Sequence, residues 1–374
     1  MKVLHILTDT NIAGAGKCVL ALADWANSNK YKGCMEVVLP FQSALKPEFE
    51  SRSVPVHESK HIGDKSFDLR AINSLKRIIK GVRPDIVHTH EALSGRIAAR
   101  LCGRVKVVNT RHSMFDLKPG EGAFHGKLFT HIVNSLFSDA IIAVSPAVEE
   151  HLKALGAPAG KIHMIFNGVP PSDIYEWDER DAIRANYGLS HDHFVVSIMA
   201  RLSEAKDHDT VLDAAKKIMD ADKSVKFLIA GEGPLESHLK RRVETEDINN
   251  VLFTGFVKDT AKIENITDLQ INASVGSEAT SNSLISGLSL GIPAVASDFG
   301  GNPYVILDGV NGLLFPRRNS ELLLTAIMKI RNNRELYEQM SFNALEVYET
   351  RFTLDKMGGQ TFELYTRLLK GARF

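Results

Sequence analysis

Residues 277–301 read SEATSNSLISGLSLGIPAVASDFGG and decide the class of fold that the chain can adopt. The preceding apolar run, Leu269–Ala273, has the length and composition of a buried strand. Ser, Thr and Asn side chains, which are favourable helix N-caps, then predict a helix from about Asn282 to Leu290. Gly291 would end that helix, and Pro293–Ala296 predicts the next strand. This strand–helix–strand order is typical of an α/β domain with a parallel sheet.

The start of the predicted helix has the chemistry of a phosphate site. Backbone N–H groups without helical partners and the positive end of the helix dipole meet at a helix N-terminus, where they can hold an anion. Glu278 comes just before this point, and its carboxylate could accept hydrogen bonds from hydroxyl groups. A phosphate site beside a hydroxyl acceptor is what a nucleotide-sugar requires.

The same segment resembles the donor-site signature of the retaining GT-B glycosyltransferases of family 4. That signature has two glutamates separated by seven residues, followed by Gly-x-Pro-x-Val-Ala and a Gly-Gly turn. The chain matches it at Glu278, Gly291, Pro293, Val295, Ala296, Gly300 and Gly301. Ser286 stands where the family has its second glutamate, which usually holds the ribose hydroxyls. A serine makes a neutral hydrogen bond, about half as strong as a charge-assisted one.

The resemblance implies a GT-B fold, in which two Rossmann-like doubly wound α/β domains face a central cleft. It implies a retaining transfer of a sugar from a nucleotide-diphospho-sugar to a hydroxyl of a lipid-linked or saccharide acceptor, in the synthesis of cell-surface polysaccharide or glycolipid. The donor is a substrate, and neither a cofactor nor a bound metal is expected. In the family the final helix crosses back onto the first domain, and this assigns residues 354–374 to that domain.

Short apolar runs alternate with amphipathic stretches along the chain, which favours two doubly wound parallel sheets. Turn-forming pairs at Asn167-Gly168 and Pro170-Pro171 mark a boundary, so we expect a first domain over 1–168 and a donor-binding domain over 169–353. The predicted strands are Val3–Leu7, Met35–Leu39, Ile86–His88, Val105–Asn109, Ala140–Val144, His163–Phe166, Phe194–Met199, Lys226–Ala230, Val251–Thr254, Leu269–Ala273, Pro293–Ala296 and Gly312–Phe315.

The composition favours a protein of the reducing cytosol. No apolar run approaches the roughly 18 to 20 residues of a membrane helix. The N-terminal MKVLHILT is too short and too soon polar for a signal peptide, and it predicts a strand instead. Cys18, Cys34 and Cys102 have neither a metal-binding nor a disulfide spacing. We therefore expect a cytoplasmic location, and no nucleic-acid partner.

The charge is unevenly distributed between the two halves. Residues 1–168 hold 22 Lys and Arg against 15 Asp and Glu, a balance of +7, and the rest of the chain has a balance of −7. A basic amphipathic helix could lie on an anionic membrane and hold the protein peripherally on its inner face. The alternative is an ordinary surface helix with its apolar side in the core. The cations concerned are Lys65, Arg70, Lys76, Arg77, Lys80 and Arg83.

Two cations, Arg201 and Lys206, lie in the loop after the predicted strand Phe194–Met199. Such loops bind the ligands of parallel sheets, and an Arg fork with a Lys point charge suits a diphosphate. In family 4 the matching residues neutralise the departing diphosphate, which we expect to be the main catalytic effect. His112 matches a family histidine that touches the donor sugar. Together with Glu278, these residues form the predicted catalytic set.

The remaining donor contacts are assigned by resemblance. The loop after the first strand is neither a P-loop nor a GxGxxG motif, but its glycines would let the backbone approach a ligand closely. In the family, loops after later strands shape the base pocket. The predicted donor-binding residues are Gly14, Gly16, Asn167, Glu232, Phe256, Val257, Asn282, Ser283, Leu284 and Ser286.

Two short motifs have the spacing of metal ligands. Asp207-His208-Asp209 has the DxD form that other glycosyltransferases use to hold a metal, but we interpret it as the N-cap and first turn of a helix. His88-Thr89-His90 places two imidazoles on one face of a strand. No further zinc ligand is evident from the sequence, and we expect these residues to line the cleft.

Two other functions stay open from the sequence. Ser286, and Tyr304 where the family often has glutamate, would fit a non-catalytic GT-B subunit or a sugar-nucleotide sensor with a decayed site. A GT-B epimerase acting on a UDP-sugar is the other alternative, although the family 4 segment fits the chain better. The presence of Arg201, Lys206 and Glu278 favours an active transferase.

Overall fold

The computed structural model describes residues 1–11, 14–63, 66–114 and 124–371. The chain forms two compact units. The first comprises residues 1–169 together with the C-terminal segment from Thr353, and the second comprises residues 170–352. Each unit is built on one parallel β-sheet, with helices following most of its strands.

The sheet of the first unit has seven parallel strands within the described residues: β1 (Val3–Ile6), β2 (Met35–Pro40), β3 (Val56–Ser59), β4 (Ile86–His90), β5 (Lys106–Arg111), β6 (Ala140–Ala143) and β7 (Ile162–Met164). Their order across the sheet is β3-β2-β1-β4-β5-β6-β7. The direction of winding reverses between β1 and β4. Doubly wound sheets bind their ligands outside the carboxyl ends of the strands at such a reversal.

The helices of the first unit are α1 (Gly14–Ser28), α2 (Lys46–Ser51), α3 (Leu69–Val82), α4 (Leu93–Arg100), α5 (Phe124–Phe137), α6 (Pro146–Ala154) and, from the C-terminal segment, α15 (Leu354–Leu369). Helix α15 contributes to the same apolar core as α1 through Phe362 and Leu368. Its first turn is also tied to α1, because Trp25 Nε1 donates a 2.7 Å hydrogen bond to Asp355 Oδ1.

Adjacent glycines in α15 are expected to respond oppositely to alanine. A Cβ on Gly358 would overlap the Trp25 ring, whereas a Cβ on Gly359 meets nothing within 4 Å. We expect Gly358→Ala to lower the free energy of unfolding by about 1–3 kcal/mol through overpacking. The matched Gly359→Ala should raise it by about 0.5–1 kcal/mol, since alanine is the better helix former. Urea unfolding measures both, and equal effects would contradict the α1–α15 packing.

The sheet of the second unit has six parallel strands: β8 (Phe194–Met199), β9 (Val225–Ala230), β10 (Val251–Gly255), β11 (Leu269–Asn272), β12 (Ala294–Ser297) and β13 (Gly312–Phe315). Their order is β10-β9-β8-β11-β12-β13, so the winding reverses between β8 and β11. The loops that follow these two strands therefore flank the position where a ligand of this sheet is expected.

The helices of the second unit are α7 (Trp177–Asn186), α8 (His208–Ala221), α9 (Glu236–Thr245), α10 (Ala261–Glu264), α11 (Asn282–Leu288), α12 (Asn302–Val305), α13 (Ser320–Arg331) and α14 (Arg334–Arg351). Val211 and Leu212 of α8 and Leu323 and Ile327 of α13 are fully buried in one apolar core with the sheet. These two helices pack on the sheet, and the sheet supports the loops at its carboxyl edge.

All twelve predicted strands are present, with ends that differ by at most two residues. The sequence prediction missed β3, whose VHES composition is mostly polar. This strand lies at the edge of the sheet and pairs with β2 alone, so it needs no continuous apolar run. Helix α11 ends two residues earlier than predicted, and Gly291 follows it with a φ of +72°.

The basic helix α3 turns most of its apolar residues to the core, although Leu69 is 68% exposed, so the structure does not support the predicted lipid contact of this helix. Ile72, Leu75 and Ile79 are at most 6% exposed and pack into the core against the sheet. The alternative, a surface helix with its apolar side in the core, therefore describes α3. Lys65 lies outside the described residues.

Candidate active site

The loop between β8 and α8 carries both predicted cations of the second unit. Leu202 is fully buried and anchors the loop, and its N–H donates a 3.0 Å hydrogen bond to the carbonyl of Glu232. Arg201, the residue before this anchor, has an exposed side chain. The carbonyl of Ala205 accepts hydrogen bonds from the N–H groups of residues 275 and 276, which joins this loop to the one after β11.

Lys206 and Glu278, predicted separately, form an ion pair with 2.6 Å between Lys206 Nζ and Glu278 Oε2. The side chain of Glu278 is 6% exposed and that of Lys206 is 23% exposed. Burial alone would raise the pKa of Glu278, but the charge of Lys206 and hydrogen bonds to the carboxylate outweigh burial and lower it. Glu278 is therefore ionised at neutral pH and held in one position.

Two polar residues that the sequence analysis missed complete the surroundings of Glu278. Asn272 Nδ2 donates to Glu278 Oε2 at 3.0 Å, and Ser274 Oγ donates to the same oxygen at 2.8 Å. Both residues are buried at the carboxyl end of β11. The signal was available in the sequence, because a buried apolar strand that ends in Asn and Ser places polar groups at the ligand-binding edge of the sheet.

The Gly-Gly turn of the signature fixes the backbone at Glu278. Gly300 has a φ of +61°, and a Cβ on it would overlap the carbonyl oxygen of Glu278. A Cβ on Gly301 would overlap the carbonyl oxygen of Ala279. Gly301 also donates its N–H to the Glu278 carbonyl at 2.8 Å. Only glycine allows this close approach, so the turn serves to position the carboxylate.

Helix α11 begins directly after Ser281, a short distance along the chain from Glu278. Ser281 Oγ accepts a hydrogen bond from the N–H of Leu284 as an N-cap, and Asn272 Nδ2 donates to the same oxygen at 3.0 Å. Asn282, Ser283 and Ser286 are half-buried, whereas Leu284 is buried. The predicted donor contacts at Asn282, Ser283 and Ser286 thus have accessible side chains, and any contact by Leu284 would have to come from its backbone.

The predicted base-pocket residues also lie together. The N–H of Phe256 donates a 3.4 Å hydrogen bond to Glu232 Oε1. The Phe256 side chain is 68% exposed, while Val257 packs against a small apolar cluster. A Cβ on Gly231 would overlap the carbonyl oxygen of Ala200, so this loop also supports the loop that carries Arg201. An exposed aromatic ring is suited to stacking on a base.

In the first unit the predicted glycine loop is part of a helix. Gly14 and Gly16 lie in the first turn of α1, which begins at Gly14. A Cβ on Gly16 would come within 2.8 Å of the Leu45 side chain, so this glycine serves packing. A Cβ on Gly14 would meet nothing within 4 Å, so the space beside it is open. Residues 12 and 13 lie outside the described residues.

Four histidines at the winding reversal of the first sheet form a cluster of hydrogen-bonded and stacked rings. His5 Nδ1 is 3.1 Å from His90 Nε2, and His90 Nδ1 is 2.8 Å from His112 Nε2. His88 stacks on His90 and contacts Tyr365 and Thr110 through its two nitrogens. His88 and His90 are therefore buried in the sheet rather than exposed at its edge. With His112 and Asn167 they line a cavity of about 30 Å³.

Burial keeps this cluster uncharged. It lowers the pKa of His5 to about 3 and the pKa of His112 to about 4. The pKa values of His88 and His90 are well below the ordinary value, because of burial and of repulsion from neighbouring imidazoles. Neutral imidazoles can each donate one hydrogen bond and accept one, which suits a chain of rings.

The turn that carries His112 is held by Glu91, another residue that the sequence analysis missed. Glu91 Oε1 accepts hydrogen bonds from the N–H groups of His112 and Ser113, at 3.0 and 2.8 Å, and from Ser113 Oγ at 2.7 Å. Glu91 itself has a left-handed backbone with a φ of +63°. Such backbone strain is maintained only where the surroundings demand it, and it often marks functional sites.

The two motifs with metal-ligand spacing have different surroundings. In the DxD motif, Asp207 Oδ2 accepts from Thr210 Oγ1 and Asp209 pairs with Arg242, so both serve the first turn of α8. His5, His88 and His90 have ligand nitrogens within 4.8 Å of one another, the only such group of three in the described parts of the chain. A metal ion there would compete with the hydrogen bond between His5 and His90 and with those that His88 makes to Tyr365 and Thr110.

Comparison with known proteins gives consistent results along the whole chain. Residues 13–173 match the model of Glycosyltransferase Family 4, and residues 179–347 match that of Glycosyl transferases group 1. The UDP-Gal:α-D-GlcNAc-diphosphoundecaprenol α-1,3-galactosyltransferase of Escherichia coli is 27% identical over 313 residues, covering 80% of this chain and 79% of that one. The N-acetyl-α-D-glucosaminyl L-malate synthase of Bacillus anthracis is 23% identical and covers 89% and 88%.

Among solved structures, Anabaena Alr3699/HepE in complex with UDP and glucose has a TM-score of 0.83 at 21% identity, covering 98% of this chain and 99% of that one. The two doubly wound units and the signature around Glu278 define a glycosyltransferase of the GT-B fold. The chain belongs to the group 1 glycosyltransferases, in family 4.

Proposed function

We propose that the protein is a retaining, metal-independent glycosyltransferase that moves a sugar from a nucleotide-diphospho-sugar to a hydroxyl of a lipid-linked or saccharide acceptor. The observation that carries the proposal is the Lys206–Glu278 ion pair, which lies with the exposed Arg201 in the loops after β8 and β11, at the winding reversal of the second sheet. The two cations suit the diphosphate, and the ionised carboxylate of Glu278 can accept hydrogen bonds from the sugar hydroxyls.

The positive charges act on the leaving group. As the bond from the anomeric carbon to the phosphate oxygen breaks, negative charge develops on the diphosphate, and Arg201 and Lys206 stabilise it. The acceptor oxygen forms the new bond on the same face, and its proton passes to the departing phosphate. Glu278 is paired with Lys206 and receives two further hydrogen bonds at Oε2, which makes it a poor nucleophile. This supports transfer without a covalent enzyme intermediate.

Relatives support the choice of substrates. The Alr3699/HepE structure contains UDP, and the name of the Escherichia coli relative includes UDP-Gal and a diphosphoundecaprenol acceptor. We propose a UDP-sugar donor and a lipid-linked acceptor for this chain, with the enzyme at the cytoplasmic side of a membrane. No helix in the described residues is long and apolar enough to cross a bilayer. The presence of Arg201, Lys206 and Glu278 speaks against a non-catalytic subunit.

The assignment of Glu278 to the sugar rather than the nucleotide is testable. We expect Glu278→Gln to reduce transfer by about 10²-fold, because a charge-assisted hydrogen bond to a sugar hydroxyl is lost. UDP binding should change less than about twofold, or roughly 0.4 kcal/mol. Turnover with a panel of UDP-, GDP- and ADP-sugars and calorimetric binding of free UDP give the two readouts. An equal loss of UDP affinity would place the carboxylate on the nucleotide instead.

Ser286 is expected to weaken ribose recognition relative to a glutamate. We expect Ser286→Glu to tighten nucleotide binding by about 1 kcal/mol through a charge-assisted hydrogen bond. Ser286 is half-buried on α11, so a longer side chain has a path to the surface. Ser286→Gln is the matched control, since it has the length of glutamate without its charge. If Ser286→Glu binds no better than Ser286→Gln, the charge is not what the site lacks.

A further inference from the structure

Helix α5 has its apolar side chains on the outside. The large apolar residues concerned are between 46% and 75% exposed: Phe124, Leu128, Phe129, Ile132 and Leu136. With 3.6 residues per turn they span an arc of about 140° around the helix, which also includes the exposed His125. Contiguous apolar surface of this kind marks a site of interaction with a protein or a membrane.

The inner side of α5 is mixed, because the half-buried apolar residues Val133 and Phe137 lie there beside small and polar ones. Asn134 is its one buried residue, with Oδ1 accepting from Arg96 at 2.8 Å and Nδ2 donating to the carbonyl of Thr130 at 2.9 Å. Gly126 and Thr130 are half-buried on the same side. An ordinary surface helix turns its apolar side to the core. In α5 most of the large apolar side chains face outward instead, so this larger apolar side is not part of the core of this unit.

The charges around the apolar arc are positive. Helix α5 contains no Asp or Glu, and the exposed Lys127 borders the arc on one side. The first unit as a whole has 26 Lys and Arg against 17 Asp and Glu, a net charge of +9. A basic surface is attracted to anionic lipid headgroups within about one Debye length.

We infer that α5 is an interfacial helix that docks the first unit on an anionic lipid bilayer. Fourteen residues make a helix of about 21 Å, which lies in the headgroup plane because a span needs about 20 residues. A second copy of the chain is a poorer occupant. A face of about 21 by 10 Å offers a few hundred Å², whereas a stable interface buries about 800 Å² on each partner.

This inference goes beyond the proposed activity, because lipid binding requires neither donor nor acceptor. It also replaces α3 by α5 as the lipid contact, since the apolar side of α3 is buried and that of α5 is exposed. For an acceptor that is anchored in the membrane, docking would confine enzyme and acceptor to the same surface.

The test is sedimentation of the full-length protein with vesicles of phosphatidylcholine alone or mixed with phosphatidylglycerol. We expect binding to the anionic vesicles, weakened by high salt. Phe129→Ser/Ile132→Ser should lower the partition coefficient by about tenfold or more, since it removes two inserting side chains. The matched control is Phe342→Ser/Leu345→Ser on α14, with the same spacing and exposures of 66% and 42% against 67% and 46%.

Three results would overturn the inference: no binding to anionic vesicles at low salt, an equal loss in the control variant, or a dimer that becomes monomeric in Phe129→Ser/Ile132→Ser. The exposed positions keep the variants folded, which thermal unfolding verifies. Lys127→Glu should weaken binding to anionic vesicles only. Transfer to a soluble acceptor analogue is measured separately, so a failure to bind lipid is distinguishable from a failure of the proposed activity.

Discussion

Replacing Arg201 by Ala is expected to lower kcat by about 10² to 10³-fold, the range seen when a transition-state charge stabiliser is removed. The side chain is exposed, so its loss should leave the free energy of unfolding unchanged. The effect should fall on turnover more than on UDP affinity, because the charge on the diphosphate increases as the sugar leaves. Steady-state kinetics with the best UDP-sugar measures the effect.

Lys206→Ala should lose as much activity as Arg201→Ala and should also destabilise the second unit. Its removal leaves Glu278 as an unpaired buried charge, which costs about 3–5 kcal/mol. Arg241→Ala, an exposed arginine on α9, is the control that removes a positive charge away from the site. Near-normal rates in both Arg201→Ala and Lys206→Ala would contradict the assignment of the diphosphate to this loop.

The histidine cluster is expected to make the first unit unstable in weak acid. In the folded protein the pKa of His5 is about 3 and that of His112 about 4, whereas an unfolded histidine titrates near pH 6.5. Between these values the unfolded state binds more protons, so the free energy of unfolding falls as the pH falls. Each such histidine contributes a slope of about 1.4 kcal/mol per pH unit. The stability is fully present above about pH 6.5.

Tryptophan fluorescence can report this unit by itself. The two tryptophans are Trp25 in the first unit and Trp177 in the second, so Trp177→Phe leaves one reporter. Urea unfolding of that variant at pH 7.5, 6.5, 5.5 and 5.0 should give midpoints that decline below about pH 6.5. His5→Gln should reduce the dependence of the free energy of unfolding on pH by about 1.4 kcal/mol per pH unit, the contribution of one proton. His191→Gln, at an exposed position, should not reduce it. A slope that His5→Gln leaves unchanged would show that this imidazole protonates in the folded state.

Much of the candidate site could be predicted from local sequence. Glu278 and the Gly-Gly turn lie within one short segment, and Arg201 and Lys206 follow one apolar strand. Local patterns of this kind report the strands and the loops at their ends. The sequence did not reveal the ion pair of Lys206 with Glu278, because the two residues are 72 positions apart and meet through the order of the strands.

By itself, then, the sequence determined that the chain forms two doubly wound α/β units, and it placed the donor signature in the second. Periodicity and turn residues carry that information, since backbone geometry imposes it locally. Only the tertiary structure decided that His5 joins His88, His90 and His112, and that α3 buries its apolar side while α5 exposes it. A helical pattern shows that a helix has an apolar side, but the packing of neighbouring elements decides whether that side faces the core or the solvent.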